Sequence, residues 1–241
     1  MKILCLDSTA KVATAAILSD GETLAEYTVN GGLSHSELLL PMIRSLLTSC
    51  ALTEDDVDLF ACTAGPGSFT GVRIGVSLIK GLAFGRGKPV AAVSALEALA
   101  ESLAPLDGIL CPVMDARRGQ VYNALFRCEG GTLLRLTEDR AIAAEELAEE
   151  LTTRYHGEGC RLVGDGYRVA ETVLKEKRVP LFETPLSLRF QSAAAAGRCA
   201  YRMALRGEVL SDEALRPLYL RLPQAERERL ERLKKEKNTE E

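Results

Sequence analysis

One run, residues 61–85, ACTAGPGSFTGVRIGVSLIKGLAFG, constrains the fold of this chain more than any other. Apolar and small residues at 59–63 meet the breaker Gly65-Pro66-Gly67, and residues of helical character follow from 68 to 85. A strand, a tight turn and a helix in that order build sheets with helices on their faces. At about 100° per residue, Gly71, Ile74, Gly75, Leu78, Gly81, Leu82 and Gly85 share an arc of roughly 120°. Val72, Val76, Ile79 and Ala83 fill the adjoining arc, and only Arg73, Ser77 and Lys80 form a polar strip. The helix is therefore expected to be buried on two sides. A glycine inside a helix costs about 1 kcal/mol relative to alanine, so this glycine-rich face points to a second backbone in close contact. One apolar side is expected to meet the chain's own sheet, and the glycine side a further partner.

Bulk properties narrow the class. With 241 residues, 46% of them hydrophobic, the chain can build one large core or two smaller ones. A net charge of −4 gives no general electrostatic footprint for nucleic acid, so any RNA contact is expected to be local or through a partner. No stretch approaches the ~18 apolar residues of a membrane span, and MKILCLDST leads directly into a strand pattern. Neither a membrane segment nor a signal peptide is expected, and the expected compartment is the cytoplasm. Cys5, Cys50, Cys62, Cys111, Cys128, Cys160 and Cys199 are scattered, never form a CxxC pair, and read as small buried hydrophobes.

Short apolar strands at 2–6, 13–18 and 23–29 form an opening meander, with Asp7-Ser8-Thr9-Ala10-Lys11 and Asp20-Gly21 at its turns. Ser34-His35-Ser36-Glu37 is a capping-box sequence, in which Ser34 is expected to accept from the third helical amide while Glu37 reaches back. The helix it opens, 35–50, places Leu39, Ile43, Leu46 and Cys50 on one face with Met42 and Leu47 beside them, and Pro41 is expected to bend it. Strands at 59–63 and 90–93 alternate with helices at 68–85 and 94–103, which describes a mixed α/β sheet covered by helices. Pro105-Leu106-Asp107-Gly108 then breaks the chain.

Beyond the break, a strand at 109–114 ends on Asp115, Arg117-Arg118-Gly119 turns, and 120–128 returns as its hairpin partner. This repeats the strand, carboxylate, turn and strand around Asp7, the mark of two sibling lobes. The expected lobes are 1–105 and 106–222. The second continues with a strand at 132–136, a helix at 144–151, a strand at 160–163 ending in Gly164-Asp165-Gly166, and helices at 167–175 and 193–205. Residues 223–241 are nearly all charged and read as a solvated helix or a disordered tail.

Asp7 ends a central strand where nucleotide-binding sheets of the actin, sugar-kinase and Hsp70 type place a carboxylate and a phosphate-gripping turn. Asp7, Ser8 and Thr9 are candidate metal or phosphate contacts; the competing reading is a turn whose side chains cap backbone groups. Gly67 and Ser68 open a helix whose amides and dipole suit an anion. The P-loop, GxGxxG and GxSxG frames all fail here. His35, with Leu39 rather than a second histidine one turn on, reads either as a ligand or acid/base or as a capping residue.

The segments LCLDST, SHSELLLPMI, DLFACTAGPGSFTGVRIGVSLIKGLAFG, MDARRGQVYNALF, VGDG and RPLYLR together resemble the TsaB (YeaZ) family, over essentially the whole chain to residue 222. GPGSFTGVRIG is the most specific of these and MDARRGQVY the next. The resemblance implies a two-lobed actin-like fold (ASKHA, ribonuclease H-like), with mixed sheets flanked by helices. It implies homology to TsaD, which uses threonylcarbamoyl-AMP to modify N6 of adenosine 37 (t6A37) in tRNAs reading ANN codons. It further implies a non-catalytic subunit that binds and activates TsaD, joined by the ATPase TsaE and indirectly by the threonylcarbamoyl-AMP synthase TsaC. On this reading tRNA is reached through the complex, the chain alone forms a homodimer, and ATP, metal and threonylcarbamoyl-AMP are used by partner subunits.

TsaD-like enzymes carry HxExH on the helix after the strand at 90–93. Laid on this chain, the motif falls on Ala95-Leu96-Glu97-Ala98-Leu99, so both histidines are replaced and only the glutamate remains. The family's paired docking helices correspond to 35–50 and 68–85. Leu39, Met42, Ile43 and Leu46, with Gly71, Ile74, Gly75 and Leu78, are therefore the expected docking surface. A bulky residue at Gly75 is expected to abolish the complex while leaving the isolated fold. The alternative is an actin-like enzyme in its own right, a nucleotide hydrolase or a peptidase.

Overall fold

A computed structural model describes residues 1–221, so the charged tail expected at 223–241 lies outside the described residues. The constraining run folds as strand β4 (Leu59–Gly65) and helix α2 (Phe69–Ala83), with Ser68 as the N-cap accepting from Gly71 N at 3.3 Å. Around β4 lie β1 (Lys2–Asp7), β2 (Ala13–Ser19), β3 (Glu22–Val29) and β5 (Val90–Ser94), in the order β3-β2-β1-β4-β5. The β1–β2 and β2–β3 pairs are antiparallel, whereas β1, β4 and β5 run parallel.

Every residue of β4 is buried, which explains its unbroken apolar run: both faces of the sheet are covered. Leu4, Leu6, Ile17, Phe60 and Cys62 point into one core with α1 (His35–Ser49) and α2. Ile3, Cys5, Leu18, Leu59 and Ala61, one residue out of phase, point into the other. That second core is closed by α6 (Ala193–Leu205), whose small residues let it lie close to the sheet; a Cβ on Gly197 would stand 2.3 Å from Leu18 Cδ1. Thr14 Oγ1 and Glu26 Oε1 take the first free amides of α6, from Ala193 and Ala194, and the Glu26 carboxylate complements the positive helix end.

The second sheet is built from β6 (Gly108–Arg117), β7 (Gln120–Asn123), β8 (Phe126–Glu129), β9 (Thr132–Arg135), β10 (Arg140–Ala143), β11 (Cys160–Val163) and β12 (Leu181–Phe182). Its path β10-β7-β6-β11-β12 repeats the first sheet's order strand for strand, with β8 and β9 added beside it. Helices α4 (Ala144–Thr153) and α5 (Tyr167–Glu176) bury Leu147, Leu151, Ala170 and Leu174 with Cys111, Val113 and Leu162. Helix α3 (Ala95–Ser102) packs between the sheets, where Ala95, Leu96 and Leu99 share a core with Leu110, Met114 and Val163.

Two expectations are corrected here. The return arm 120–128 is split into β7 and β8 opposite Cys111 and Pro112, because proline has no N–H for the ladder; Leu125 N turns instead to Thr137 Oγ1 at 2.8 Å. Helix α6, assigned by sequence to the second lobe, packs on the first sheet, and Leu210 then exchanges two backbone hydrogen bonds with Val90. At the start of α1 the expected capping box forms: the Ser34 side chain faces the Glu37 amide and Glu37 Oε2 accepts from Ser34 N at 3.0 Å, while the Ser34 hydroxyl also donates to the same carboxylate. Both bonds hold the Glu37 carboxyl below its ordinary pKa. Among the described residues, six of the cysteines are buried and Cys50 is half-buried, all as free thiols. No described helix is long and apolar enough to cross a membrane.

Candidate functional site

The turn after β1 and the start of α2 are clamped together. Thr9 donates its N–H and its hydroxyl to Asp7 Oδ1 at 2.8 and 2.7 Å, Ser8 Oγ donates to Gly71 O at 2.9 Å, and Ser68 N donates to Thr9 O at 2.6 Å. A Cβ on Gly71 would fall 2.0 Å from Ser8 O, and one on Gly75 would fall 2.4 Å from Ser8 Oγ and 2.9 Å from Leu6 Cδ1. The close backbone contact signalled by these glycines is thus with the chain's own β1 turn. Asp7 is fully buried, and burial raises its carboxyl pKa although the bonds from Thr9 pull it down. Its Oδ2 has no hydrogen-bond partner among the described residues, nor has Thr63 Oγ1.

A cleft of about 420 Å³ between the lobes is the second feature. Thr9, Lys11, Gly67 and Ser68 line one wall, and Met114, Asp115, Arg117 and Asp165 the other. Of the five candidate anion contacts, Thr9, Gly67 and Ser68 reach this space, whereas Asp7 and Ser8 stand behind its wall with their oxygens engaged by or facing protein. The sibling turn repeats the local chemistry, since Arg117 N donates to Asp115 Oδ1 at 2.7 Å as Thr9 N does to Asp7. Asp165 takes Asp115 N at 3.4 Å; desolvation by the surrounding protein raises its carboxyl to about 6, with the negative charges of Asp115 and Asp7 adding to the effect. The cleft carries charges of both signs: Asp115, paired with Arg117 at 3.3 Å, and Asp165 share it with Lys11.

The positions on which the resemblance lays the two histidines of HxExH carry apolar side chains. Ala95 and Leu99 are buried in the core between the sheets, so neither offers a donor atom. Glu97 points away to Arg135, whose Nη2 donates to it at 3.0 Å. Among the described residues no group of three His, Cys, Asp or Glu is arranged to hold a metal.

The third feature is an apolar groove of about 520 Å³ between α1 and α2, walled by His35, Leu40, Phe69, Arg73, Ile74 and Leu78. It corrects the expected docking surface. Leu39, Met42, Ile43 and Leu46 are buried in the chain's own core, and Gly71 and Gly75 face β1; only Ile74 and Leu78 of the expected eight open onto the groove. His35 sits at its end with Nε2 3.3 Å from Val12 O. Leu40, Phe69 and Arg73 were missed. The signal lay in the supposed polar strip of α2, because Ile74 and Leu78 alternate with Arg73 and Ser77 along the outer face.

Comparison with known proteins places this geometry. Residues 30–227 match the family model described as TsaD: tRNA N6-adenosine threonylcarbamoyltransferase. The tRNA threonylcarbamoyladenosine biosynthesis protein TsaB of Escherichia coli is 30% identical over 92% of this chain and 95% of its own length. The protein of the same name from Bacillus subtilis is 38% identical over 63% of this chain and 66% of its own. Among solved structures, a Pseudomonas aeruginosa protein described as similar to the peptidase YeaZ superposes with a TM-score of 0.76 at 28% identity, covering 91% of this chain and 99% of that one.

Proposed function

The chain belongs to the TsaD family, and within it to the TsaB (YeaZ) proteins, and on that premise we propose that it is the non-catalytic partner and activator of a TsaD transferase. It has a role in tRNA threonylcarbamoyladenosine biosynthesis. The observation that carries the non-catalytic reading is the apolar core at Ala95 and Leu99, where the metal-binding histidines of TsaD-like enzymes would stand. The clamped turn at Asp7 supports it, because Ser68 N, one of the amides an anion would need, is already committed to Thr9 O. The chain meets TsaD through the α1–α2 groove and pairs with a second copy through the same face when the transferase is absent. TsaE joins that complex, TsaC supplies threonylcarbamoyl-AMP, and ATP and metal are handled by the partner subunits in the cytoplasm.

Reconstitution tests this reading. Purified chain, TsaD, TsaE and TsaC with tRNA, threonine and ATP are expected to form the modified nucleoside, and omission of this chain to lower the initial rate about tenfold or more, equivalent to about 1.4 kcal/mol of barrier. ATP hydrolysis or tRNA modification by the chain alone would overturn the assignment.

A further inference from the structure

After α6 the chain runs back across the first lobe as an extended strap. Leu210 pairs with Val90, Leu215 is fully buried in the α1–α2 core, Leu218 N donates to Ala64 O at 2.7 Å, and Arg221 Nη1 donates to Ala116 O at 2.8 Å. Gly65 is required at this crossing, since a Cβ there would lie 2.3 Å from Leu218 O. The strap thereby brings Tyr219 to the rim of the groove. Its ring lies 4.9 Å from that of Phe69, and its hydroxyl accepts from Arg73 Nε at 2.8 Å. The Arg73 guanidinium also stacks over Phe69, 3.9 Å from the ring centroid.

Arg73 is therefore exposed yet fixed: one face rests on Phe69, Nε is occupied, and among the described residues Nη1 and Nη2 have no acceptor. Among the described residues no carboxylate pairs with it. We infer that Arg73, held by Tyr219, is the charged anchor of the groove, and that it takes a carboxylate carried on an apolar helix of the partner. This rests on the docking reading above and names the chemistry of that site. The charge of the face selects the occupant. On α1 and α2 its exposed or half-buried charges are Arg44, Arg73 and Lys80, whose Nζ donates to Glu213 O and Leu215 O, against Glu37, which keeps its negative charge while bonded by Ser34; α2 has no acidic residue, so the face is net positive. An isologous contact with a second copy brings this net positive surface against itself, whereas a transferase helix that carries a carboxylate would complement it. Tyr219 is a positioning residue: it fixes the guanidinium before binding and so lowers the ordering cost.

The test uses the full chain and the full-length TsaD protein of the same source, with affinity measured by calorimetry. Arg73→Glu is expected to weaken the complex by roughly a hundredfold, as for a charged hot spot, and Tyr219→Phe, which keeps the ring and removes the hydroxyl, by about fivefold. The Tyr219→Phe effect is expected to vanish when Arg73 is already alanine, while thermal unfolding midpoints of the single variants stay together; a purely structural role for Tyr219 would instead persist in that background. Raising ionic strength from about 50 to 300 mM is expected to weaken the complex roughly tenfold and to leave self-association level or stronger. If the wild-type chain binds TsaD but both variants match it, or if salt weakens self-association alone, the anchor is wrong and the docking reading stands. Failure of the wild-type chain to bind at any ionic strength overturns both.

Discussion

The turns that end β1 and β6 are siblings with different fates. Each uses an aspartate whose Oδ1 accepts the backbone N–H two residues on, from Thr9 to Asp7 and from Arg117 to Asp115. In the first lobe, α2 presses onto the turn through Gly71 and Gly75, so Asp7, Ser8 and Thr9 are buried. In the second the turn stays open to the cleft, with Arg117 exposed and paired to Asp115 at 3.3 Å. The same local sequence logic has yielded a structural clamp in one lobe and a solvent-facing loop in the other. What differs is where the close contact falls: Gly71 and Gly75 of α2 press on the turn itself at Ser8, whereas Gly164 and Gly166, leading into α5, meet β6 at Val113 and Met114, ahead of its turn.

The comparison can be broken most forcefully at Gly75. Gly75→Val would drive side-chain carbons into Ser8 and Leu6, and is expected to cost about 3 kcal/mol of folding stability in urea unfolding. The glycine stripe had suggested that such a change would harm only the complex; an unchanged unfolding midpoint would restore that view. A smaller contrast separates the two aspartates. Asp7→Ala leaves the buried Thr9 amide and hydroxyl without their acceptor, for a loss of about 2 kcal/mol. Asp115→Ala, at the more exposed turn, is expected to cost less than about 1 kcal/mol by the same measurement. Equal losses would show that both turns are clamped.

Gly81 sharpens the comparison from the other side, because a Cβ there meets nothing within 4 Å. Gly81→Ala is expected to stabilise the chain by roughly 0.5–1 kcal/mol, read as a rise in melting temperature. The smallest effect concerns Asp165. Its folded pKa is raised from 3.8 to about 6, so the folded state holds the proton more tightly than the unfolded chain. The resulting stabilisation is fully present below about pH 4 and is lost as pH rises toward 6. Much of the residue is exposed and solvent screens it, so the change amounts to less than about 1 kcal/mol. Asp165→Asn is expected to flatten the stability profile across that window; an unchanged slope would assign it to another group.

The sequence by itself determined the elements and their repetition. The run at 193–205 folds as α6 over those same residues, β1 to β5 fall within two residues of their apolar patterns, and the carboxylates at 7 and 115 marked the two lobes as siblings. These features are local, since side-chain period and breakers are written along the chain itself. Strand β12 and the short β10 escaped because two to four residues carry no period to read. Only the tertiary structure decided which partner each face met. An alanine-rich helix shows that something lies close to it but not which sheet, and α6 crossed to the first. A stripe of glycines reports that a backbone comes near but not whose; the backbone proved to be that of Ser8, which turned Arg73, Ile74 and Leu78 outward. Tyr219 stands 146 positions from the arginine it holds, and no period along the chain could have joined them.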